Sequence, residues 1–212
     1  MNLVIFGPPG AGKGTQSKFI SNKFNLHQLS TGELLRIEIK NQTVLGSKIS
    51  SIMNSGDLVS DEIVTTLIEK YISQNTYKNR LIFDGYPRNL NQAINLDKLL
   101  KKYDQKIDLV LNLSVKLETI KKRILERKSQ EKRADDNEVV AIKRFKNYES
   151  STKPVIDYYK KSNLLKDVNG EASIPKINVE ISGIIESIKG WLWMITQYKY
   201  AGNLISLNIW LG

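Results

Sequence analysis

The stretch that decides the fold class is Leu3-Val4-Ile5-Phe6-Gly7-Pro8-Pro9-Gly10-Ala11-Gly12-Lys13-Gly14-Thr15. Its four apolar residues are enough for one buried strand, and a helical pattern begins directly after the glycines. This order of strand, glycine-rich loop and helix is typical of a P-loop, although the hydroxyl of Thr15 stands one position later than in the pattern G-x-x-x-x-G-K-[ST]. Backbone N–H groups in such a loop, and at the helix N-terminus behind it, attract phosphate. The sequence therefore predicts binding of a nucleoside triphosphate.

The composition is that of a globular protein with a substantial core. Of its 212 residues 41% are hydrophobic, which suits one domain with small insertions. Cysteine is absent, so disulfides and thiolate metal sites are excluded, and we expect a monomer in the cytoplasm. The net charge of +10 is compatible with nucleic-acid binding. Because no basic run is dense, we instead expect arginines around a polyphosphate and lysines on exposed helix faces.

Short apolar runs alternate with amphipathic segments, which predicts an α/β fold with a parallel sheet flanked by helices. Strands are predicted at Leu3–Phe6, Leu26–Leu29, Leu81–Gly85, Ile107–Leu113 and Leu164–Val168. Helices are predicted at Gly14–Phe24, Gly46–Ser55, Asp61–Ser73, Lys116–Lys128, Asn137–Lys161 with a break at Pro154, and Ile177–Lys189. One more helix begins at Ser30, which together with Glu33 has the spacing of a capping box.

The segment between the second and third strands is predicted to be entirely helical. Residues 30–73 therefore form an insertion, which we interpret as a flap over the end of the sheet. The strand that follows ends at Asp84. An acid directly after a buried strand, behind a P-loop, is the expected Walker B partner, which holds Mg²⁺ directly or through water.

Arginines form a second group of candidate site residues. Arg123 and Arg127 are four residues apart and share one helix face. Most arginines in proteins lie on the surface, but phosphoryl transfer depends on cations around the moving group. No candidate nucleophile or metal-ligand cluster accompanies them. The arginines placed near strand ends, on crossover helices or beside a short charged loop are Arg36, Arg88, Arg123, Arg127, Arg133 and Arg144.

Five motifs together resemble those of one family. They are Gly7–Gln16, Ser30–Arg36, Asp84–Arg88, Gln92 and Arg133–Asp136. The chain is similar to adenylate kinases of the nucleoside monophosphate kinase family from Met1 to about Lys189. The resemblance implies a P-loop kinase core in residues 1–189, with an AMP-binding flap at 30–73 and a lid at 128–136. It also implies the reaction ATP + AMP ⇌ 2 ADP, with Mg²⁺ as cofactor.

The resemblance also implies a role for each site residue. Lys13 would bind the donor phosphates, Arg123 would stack on the adenine of ATP, and Asp84 would hold Mg²⁺ through water. The implied ATP-binding residues are Gly10, Ala11, Gly12, Lys13, Gly14, Thr15, Arg123 and Arg127. The implied AMP-binding residues are Thr31, Arg36, Met53, Asp57, Leu58, Val59, Val64, Gly85, Arg88, Gln92, Arg133 and Arg144. The implied catalytic residues are Lys13, Arg88, Arg127, Arg133 and Arg144.

Two features depart from the pattern of this family. Only five residues separate Arg127 from Arg133, which resembles the short-lid form without a zinc module. Residues 190–212 match no part of the family and contain all three tryptophans. No apolar run there reaches the roughly 18 residues of a membrane span, so we expect no membrane association. An interfacial anchor, a self-association patch, a reading-frame artefact and a disordered extension remain alternatives for this tail.

Two other functions remain open from the sequence. A UMP/CMP kinase also has a short lid, but its positions corresponding to Thr31 and Gln92 resemble alanine and asparagine, so this chain sides with AMP. A P-loop ATPase that binds nucleic acid would instead use the net charge, and its binding would depend strongly on salt. It would have no monophosphate acceptor.

Overall fold

The computed structural model describes residues 1–131, 138–188 and 190, with side chains except at 127–131 and 138. The strands are β1 (Leu3–Phe6), β2 (His27–Ser30), β3 (Leu81–Asp84), β4 (Leu109–Ser114) and β5 (Leu165–Asn169). The helices are α1 (Lys13–Phe24), α2 (Thr31–Lys40), α3 (Val44–Asn54), α4 (Asp61–Ile72), α5 (Leu90–Lys102), α6 (Leu117–Glu131), α7 (Glu138–Asn147), α8 (Lys153–Lys161) and α9 (174–188). A 3₁₀ turn covers Asn75–Tyr77, and a π-helical turn, Tyr148–Thr152, joins α7 to α8.

The five strands form one parallel sheet in the order β2-β3-β1-β4-β5. Strand β1 lies in the centre, where Val4 pairs with Phe83 on one side and with Val110 on the other. Because all strands are parallel, their carboxyl ends meet at one edge of the sheet. The chain leaves β1 toward β2, whereas β4 adds on the opposite side of β1. This reversal of order creates a crevice outside the carboxyl ends, where ligands bind in open α/β sheets.

The core lies on both faces of the sheet because successive residues of a strand point to opposite faces. On one face, Val4, Phe6 and Phe83 pack with apolar residues of α2 to α5 and α8. On the other face, Leu3 and Ile5 pack with apolar residues of α1 and α9. Such two-sided burial explains why the central strand β1 is a continuous apolar run and why its neighbour β3 is one up to Asp84, whereas the edge strands β2 and β5 contain polar residues.

The predicted fold class is confirmed, since all five predicted strands form and they are parallel. Strand ends differ by one or two residues where the ladder decides them. For example, β2 runs to Ser30, because Ser30 still pairs with Asp84. The helix break that was predicted at Pro154 falls instead at the π-helical turn before it, and Pro154 lies in the first turn of α8, where its missing N–H costs nothing.

The predicted capping box at Ser30 is wrong. Ser30 does precede α2, but its side chain makes no capping hydrogen bond. The reason is that Ser30 is also the last residue of β2, and both Ser30 and Glu33 line the cleft described below. The N-terminus of α2 is therefore directed toward that cleft without a side-chain cap.

The chain between β2 and β3 consists of the three helices α2, α3 and α4 and the short turn after them. Helices α2 and α3 cross closely at Gly46. A Cβ atom added at Gly46 would lie 2.1 Å from the carbonyl oxygen of Glu38 and 2.8 Å from the Cα of Ile39. Only a residue without a side chain fits at this crossing.

Two predicted segments fall largely or wholly outside the described residues. Of the predicted lid, residues 132–136 are not described, and the tail 191–212 is not described either. Among the helices that are described, none combines the length and the apolar character needed to cross a membrane.

We expect Gly46→Ala to lower the free energy of unfolding by about 1–3 kcal/mol or more, because the added methyl group meets backbone atoms that cannot rotate away. Gly183→Ala is the matched control. It lies on α9 with no atom within 4 Å of the new Cβ, so it should leave stability unchanged or raise it by less than about 1 kcal/mol. Urea unfolding of both variants measures the difference, and equal stability of the two would contradict this account of the crossing.

Candidate active site

The glycine-rich loop between β1 and α1 curls around the ammonium group of Lys13. Lys13 Nζ donates hydrogen bonds to the carbonyl oxygens of Gly7 at 2.8 Å and Pro8 at 3.1 Å. The loop ends at Gly12, whose φ of 95° is a left-handed conformation that favours glycine. The first N–H groups of α1 therefore face the same space as Lys13. A positive charge and a helix N-terminus together form an anion-binding site.

Asp84 lies beside this loop at the end of β3, where it pairs with Ile5 of β1 and Ser30 of β2. Its residue is only 7% exposed, and Gln28 Nε2 donates a hydrogen bond of 2.9 Å to Asp84 Oδ2. That bond leaves the other carboxylate oxygen for other partners. Gln28 was not anticipated from the sequence, because pairing between β2 and β3 is what brings it next to Asp84.

A cleft of about 640 Å³ lies at the carboxyl edge of the sheet and contains most of the predicted site. The predicted residues that line it are Gly10, Ala11, Gly12, Lys13, Gly14, Thr15, Arg36, Met53, Asp57, Leu58, Val59, Val64, Asp84, Gly85, Arg88, Gln92, Arg123 and Arg144. Thr31 is 2% exposed, and its hydroxyl donates to the carbonyl oxygen of Gly85 at 3.0 Å. The side chain of Arg127 and all of Arg133 lie outside the described residues.

Three arginines converge at one end of the cleft. The pKa of Arg88 is lowered to about 10, chiefly by desolvation of the guanidinium in the cleft and also by the neighbouring charges of Arg144 and Arg36, while Asp84 opposes the shift. Arg88 Nε donates to the carbonyl oxygen of Gly85 at 2.7 Å, which holds the guanidinium in place. Like charges gathered in a partly desolvated cleft, with a perturbed pKa, are typical of a site that binds a ligand of opposite charge. We interpret this end of the cleft as a second phosphate site.

Arg123 lies on α6 against the P-loop. Its Nη2 donates to the carbonyl oxygen of Gly170 at 2.9 Å and its Nη1 to that of Ala11 at 3.4 Å. Both contacts are to backbone, so they fix the plane of the guanidinium at the mouth of the P-loop. A planar guanidinium held in this way can stack on an aromatic base.

The helical segment between β2 and β3 reaches across the cleft to α7. Lys143 Nζ lies 2.7 Å from Asp57 Oδ1, and Asn147 Nδ2 donates to the carbonyl oxygen of Gly56 at 3.2 Å. The hydrogen bond from Lys143 lowers the pKa of Asp57. On the inner side, Met53 and Val59 are buried and provide an apolar wall. The cleft is therefore bounded by the sheet edge, by this segment and by α7.

The π-helical turn supplies cleft residues that the sequence analysis missed. Tyr148 and Thr152 both line the cleft. Thr152 Oγ1 donates to the carbonyl oxygen of Arg88 at 3.0 Å, and Tyr148 Oη donates to Asn112 Oδ1 at 3.3 Å. Desolvation, with Glu149 and Asp167 nearby, raises the pKa of Tyr148, so the phenol stays protonated. The only sequence signal nearby was Pro154, which predicted a helix break but not a π-helical turn. Such turns often occur at functional sites.

Comparison with known proteins agrees with this geometry. The family model described as "Adenylate kinase" matches residues 5–164. The chain belongs to the adenylate kinase family. An adenylate kinase of Pelagibacter ubique is 41% identical over 88% of this chain and 100% of its own length. One of Archaeoglobus fulgidus is 38% identical, with 89% and 100% coverage, and one of Leptospira biflexa is 41% identical, with 82% and 94% coverage.

Membership of the adenylate kinase family confirms the enzyme class predicted from the sequence. The chain is a nucleoside monophosphate kinase, which is a phosphotransferase that binds ATP. Neither of the two alternative functions is favoured by these matches. In the part of the chain that the structure describes, no three His, Cys, Asp or Glu side chains are grouped so that they could hold a metal ion.

We expect Gly85→Ala to weaken binding of the nucleoside monophosphate at least about tenfold while ATP binding changes little. Gly85 has φ +78°, which costs other residues about 1–3 kcal/mol, and its Cβ would lie 3.1 Å from both Arg88 Nη2 and Thr31 Oγ1. Isothermal titration with each nucleotide alone measures both affinities. Equal losses for the two nucleotides would mean that Gly85 shapes the whole cleft and not one end of it.

Proposed function

We propose that this protein catalyses ATP + AMP ⇌ 2 ADP. The observation that carries the proposal is that one cleft has two cationic ends. The P-loop with Lys13 lies at one end, and Arg36, Arg88 and Arg144 converge at the other. Two phosphate sites in one cleft suit a donor triphosphate and an acceptor monophosphate held in line for transfer.

In this proposal the protein acts mainly by positioning and by charge. The transferred phosphoryl group carries developing negative charge on its oxygens. Lys13 would leave the loop carbonyls and bind that group, while Arg88 and Arg144 would hold the acceptor phosphate. Removal of water from the cleft would strengthen each of these interactions. Arg127 and Arg133 are assigned to the same charge cluster by the family resemblance, and this assignment stays a prediction.

The assignment of the nucleotides follows from what surrounds each end. Arg123, fixed beside the P-loop, would stack on the adenine of ATP. At the other end, Gln92 and Thr31 would bind the adenine of AMP beside an apolar wall. The residues proposed for AMP are Thr31, Arg36, Met53, Asp57, Leu58, Val59, Val64, Gly85, Arg88, Gln92, Arg133 and Arg144.

Mg²⁺ is implied by the family, and the residues present fit it. Mg²⁺ prefers oxygen ligands, keeps several waters and needs only one or two carboxylates when phosphates complete its shell. Asp84 provides one carboxylate next to the P-loop, with one oxygen held by Gln28. We therefore propose that Asp84 holds the ion through water. When bound, the ion would neutralise charge on the phosphates of ATP.

We propose a cytoplasmic monomer that binds neither nucleic acid nor membranes, with residues 1–189 as the kinase and 190–212 as an extension of open role. Within residues 1–189, we propose that residues 30–73 move as the AMP-binding flap and residues 128–136 as the lid.

The function is tested by a coupled assay of Mg-ATP with AMP, UMP, CMP and GMP in turn. We expect AMP to be strongly preferred. Equal use of UMP or CMP would replace this proposal with a pyrimidine nucleotide kinase. ATP hydrolysis that is independent of any monophosphate, together with salt-sensitive binding to DNA or RNA, would instead support the nucleic-acid-binding ATPase.

Lys13→Met should lower kcat by at least about 100-fold with an unchanged unfolding midpoint, because it removes a cation that acts on the transition state. Lys23→Met is the matched control on the same helix. Among the ion pairs of the described residues, the ammonium of Lys23 pairs with Glu186 at 3.0 Å, and neither residue lines the cleft. It should keep kcat within about twofold of the wild type. A Lys13→Met enzyme that keeps a tenth of the wild-type turnover would overturn the role given to Lys13.

A further inference from the structure

The side-chain amide of Gln92 is held by hydrogen bonds at both its oxygen and its nitrogen. Its residue is 2% exposed, and its Oε1 accepts a hydrogen bond from the backbone N–H of Arg88 at 2.7 Å. Its Nε2 donates to Asp61 Oδ1 at 2.6 Å. The backbone of Gln92 is fixed as well, because its N–H donates to Asn89 Oδ1 at 2.8 Å and its carbonyl oxygen accepts from the hydroxyl of Tyr86 at 3.3 Å.

Asp61 is itself held in one position. Asn89 Nδ2 donates to both of its carboxylate oxygens, at 3.0 and 3.2 Å. Asp61 is the first residue of α4, in the helical segment between β2 and β3, whereas Asn89 is the N-cap of α5 and Gln92 lies in its first turn. The contact therefore joins that segment to the core of the protein beside the cleft.

A carboxylate can only accept hydrogen bonds, whereas an amide has one end that donates and one that accepts. If the amide of Gln92 were flipped, its oxygen would face the carboxylate of Asp61 and its NH₂ would face the N–H of Arg88. Both contacts would then pair like with like in a buried place, which is costly. Asp61 and the Arg88 N–H together thus allow one orientation of the Gln92 amide.

We propose that Asp61 is a positioning residue that sets base specificity by fixing the orientation of the Gln92 amide. This inference rests on the proposed function, in which Gln92 binds the base of the monophosphate. After its bonds to Asp61 and Arg88, the amide keeps one N–H and one oxygen lone pair for a ligand. The order of this donor and this acceptor along the base edge is fixed by Asp61 together with the Arg88 N–H.

The fixed order of donor and acceptor on the Gln92 amide distinguishes bases by their hydrogen-bonding pattern and not by their size. Adenine has an acceptor ring nitrogen beside an amino donor at its 6-position. Hypoxanthine has the same two-ring shape, but it carries a carbonyl acceptor at that position and a protonated ring nitrogen. A freely flipping amide would serve both bases, whereas the fixed amide satisfies only adenine. Cytosine has the polarity of adenine, so Asp61 should not affect its acceptance.

The test compares kcat/KM for AMP, IMP and CMP in the wild type and in Asp61→Asn. Asparagine has the shape of aspartate but can present either a donor or an acceptor, so one of the two unfavourable contacts of a flipped Gln92 amide is relieved, while the contact with the Arg88 N–H remains. We expect the IMP-to-AMP ratio to rise about fivefold or more, which is the effect of relieving one unmade buried hydrogen bond. The CMP-to-AMP ratio should stay within about twofold of the wild-type value.

Asp97→Asn is the matched control. Asp97 is a half-buried carboxylate on α5 that accepts a hydrogen bond of 2.7 Å from the hydroxyl of Tyr158, and it does not line the cleft. It should leave both ratios unchanged. Asp61→Ser, whose hydroxyl also donates or accepts, should reproduce the rise in the IMP-to-AMP ratio and serves if Asp61→Asn folds poorly. Each ratio is measured within one preparation, so a loss of folded protein cancels.

The outcomes separate this inference from the proposed function. A wild type that does not use AMP would overturn the proposed function, whereas a wild type that uses AMP and IMP equally well would overturn only the fixed orientation of the Gln92 amide. A wild type that prefers AMP, with unchanged ratios in both Asp61 variants, would overturn only the role of Asp61. Equal losses of kcat/KM for AMP and IMP would show that Asp61 is merely structural, and an equal rise for CMP and IMP would show general loosening of the site.

Discussion

Parallel pairing of β1 with β3 on one side and β4 on the other is the constraint on which the site depends. It places the P-loop, which follows β1, beside Asp84, which ends β3. It also creates the crevice, because the chain order reverses at β1. The strands can pair in this way only if both faces of the sheet are covered. The buried apolar residues of β1 are therefore part of the reason that the polar cleft exists.

The cleft gathers positively charged side chains that would be too costly to desolvate in the apolar core. Arg36 and Arg144 are close enough to Arg88 to lower its pKa. The negative charge of Asp84 and the hydrogen bond from Arg88 to the carbonyl oxygen of Gly85 partly offset this repulsion. Clustered arginines contribute little to stability, because their like charges repel. They do favour phosphate binding, since one bound anion can form charge-assisted hydrogen bonds with several of them and offset this repulsion.

Beside the charge cluster lies a small network of neutral and acidic groups with a different task. Asp61, Asn89 and Gln92 satisfy one another, so little freedom is left in the amide that faces the cleft. Charge would therefore bind the phosphate of a nucleotide with no regard to its base, and the fixed hydrogen-bond pattern would select the base. The two tasks use different residues, which is why they can be tested separately.

The sequence by itself determined the elements and the chemistry of the P-loop. Residues 3–15 combine an apolar run, glycines and Lys13 within one local segment, so no distant contact is needed to interpret them. The motifs around Arg36, Asp84 and Arg88 were also local. The tertiary structure alone decided that Ser30 would not cap its helix, that Gln28 would hold Asp84, and that Thr152 would support Arg88. It also decided that Asp61 meets Gln92 across 31 positions of the chain. Each of these contacts joins residues through the packing of separate elements, and hydrophobic periodicity carries no information about which polar side chains will then meet.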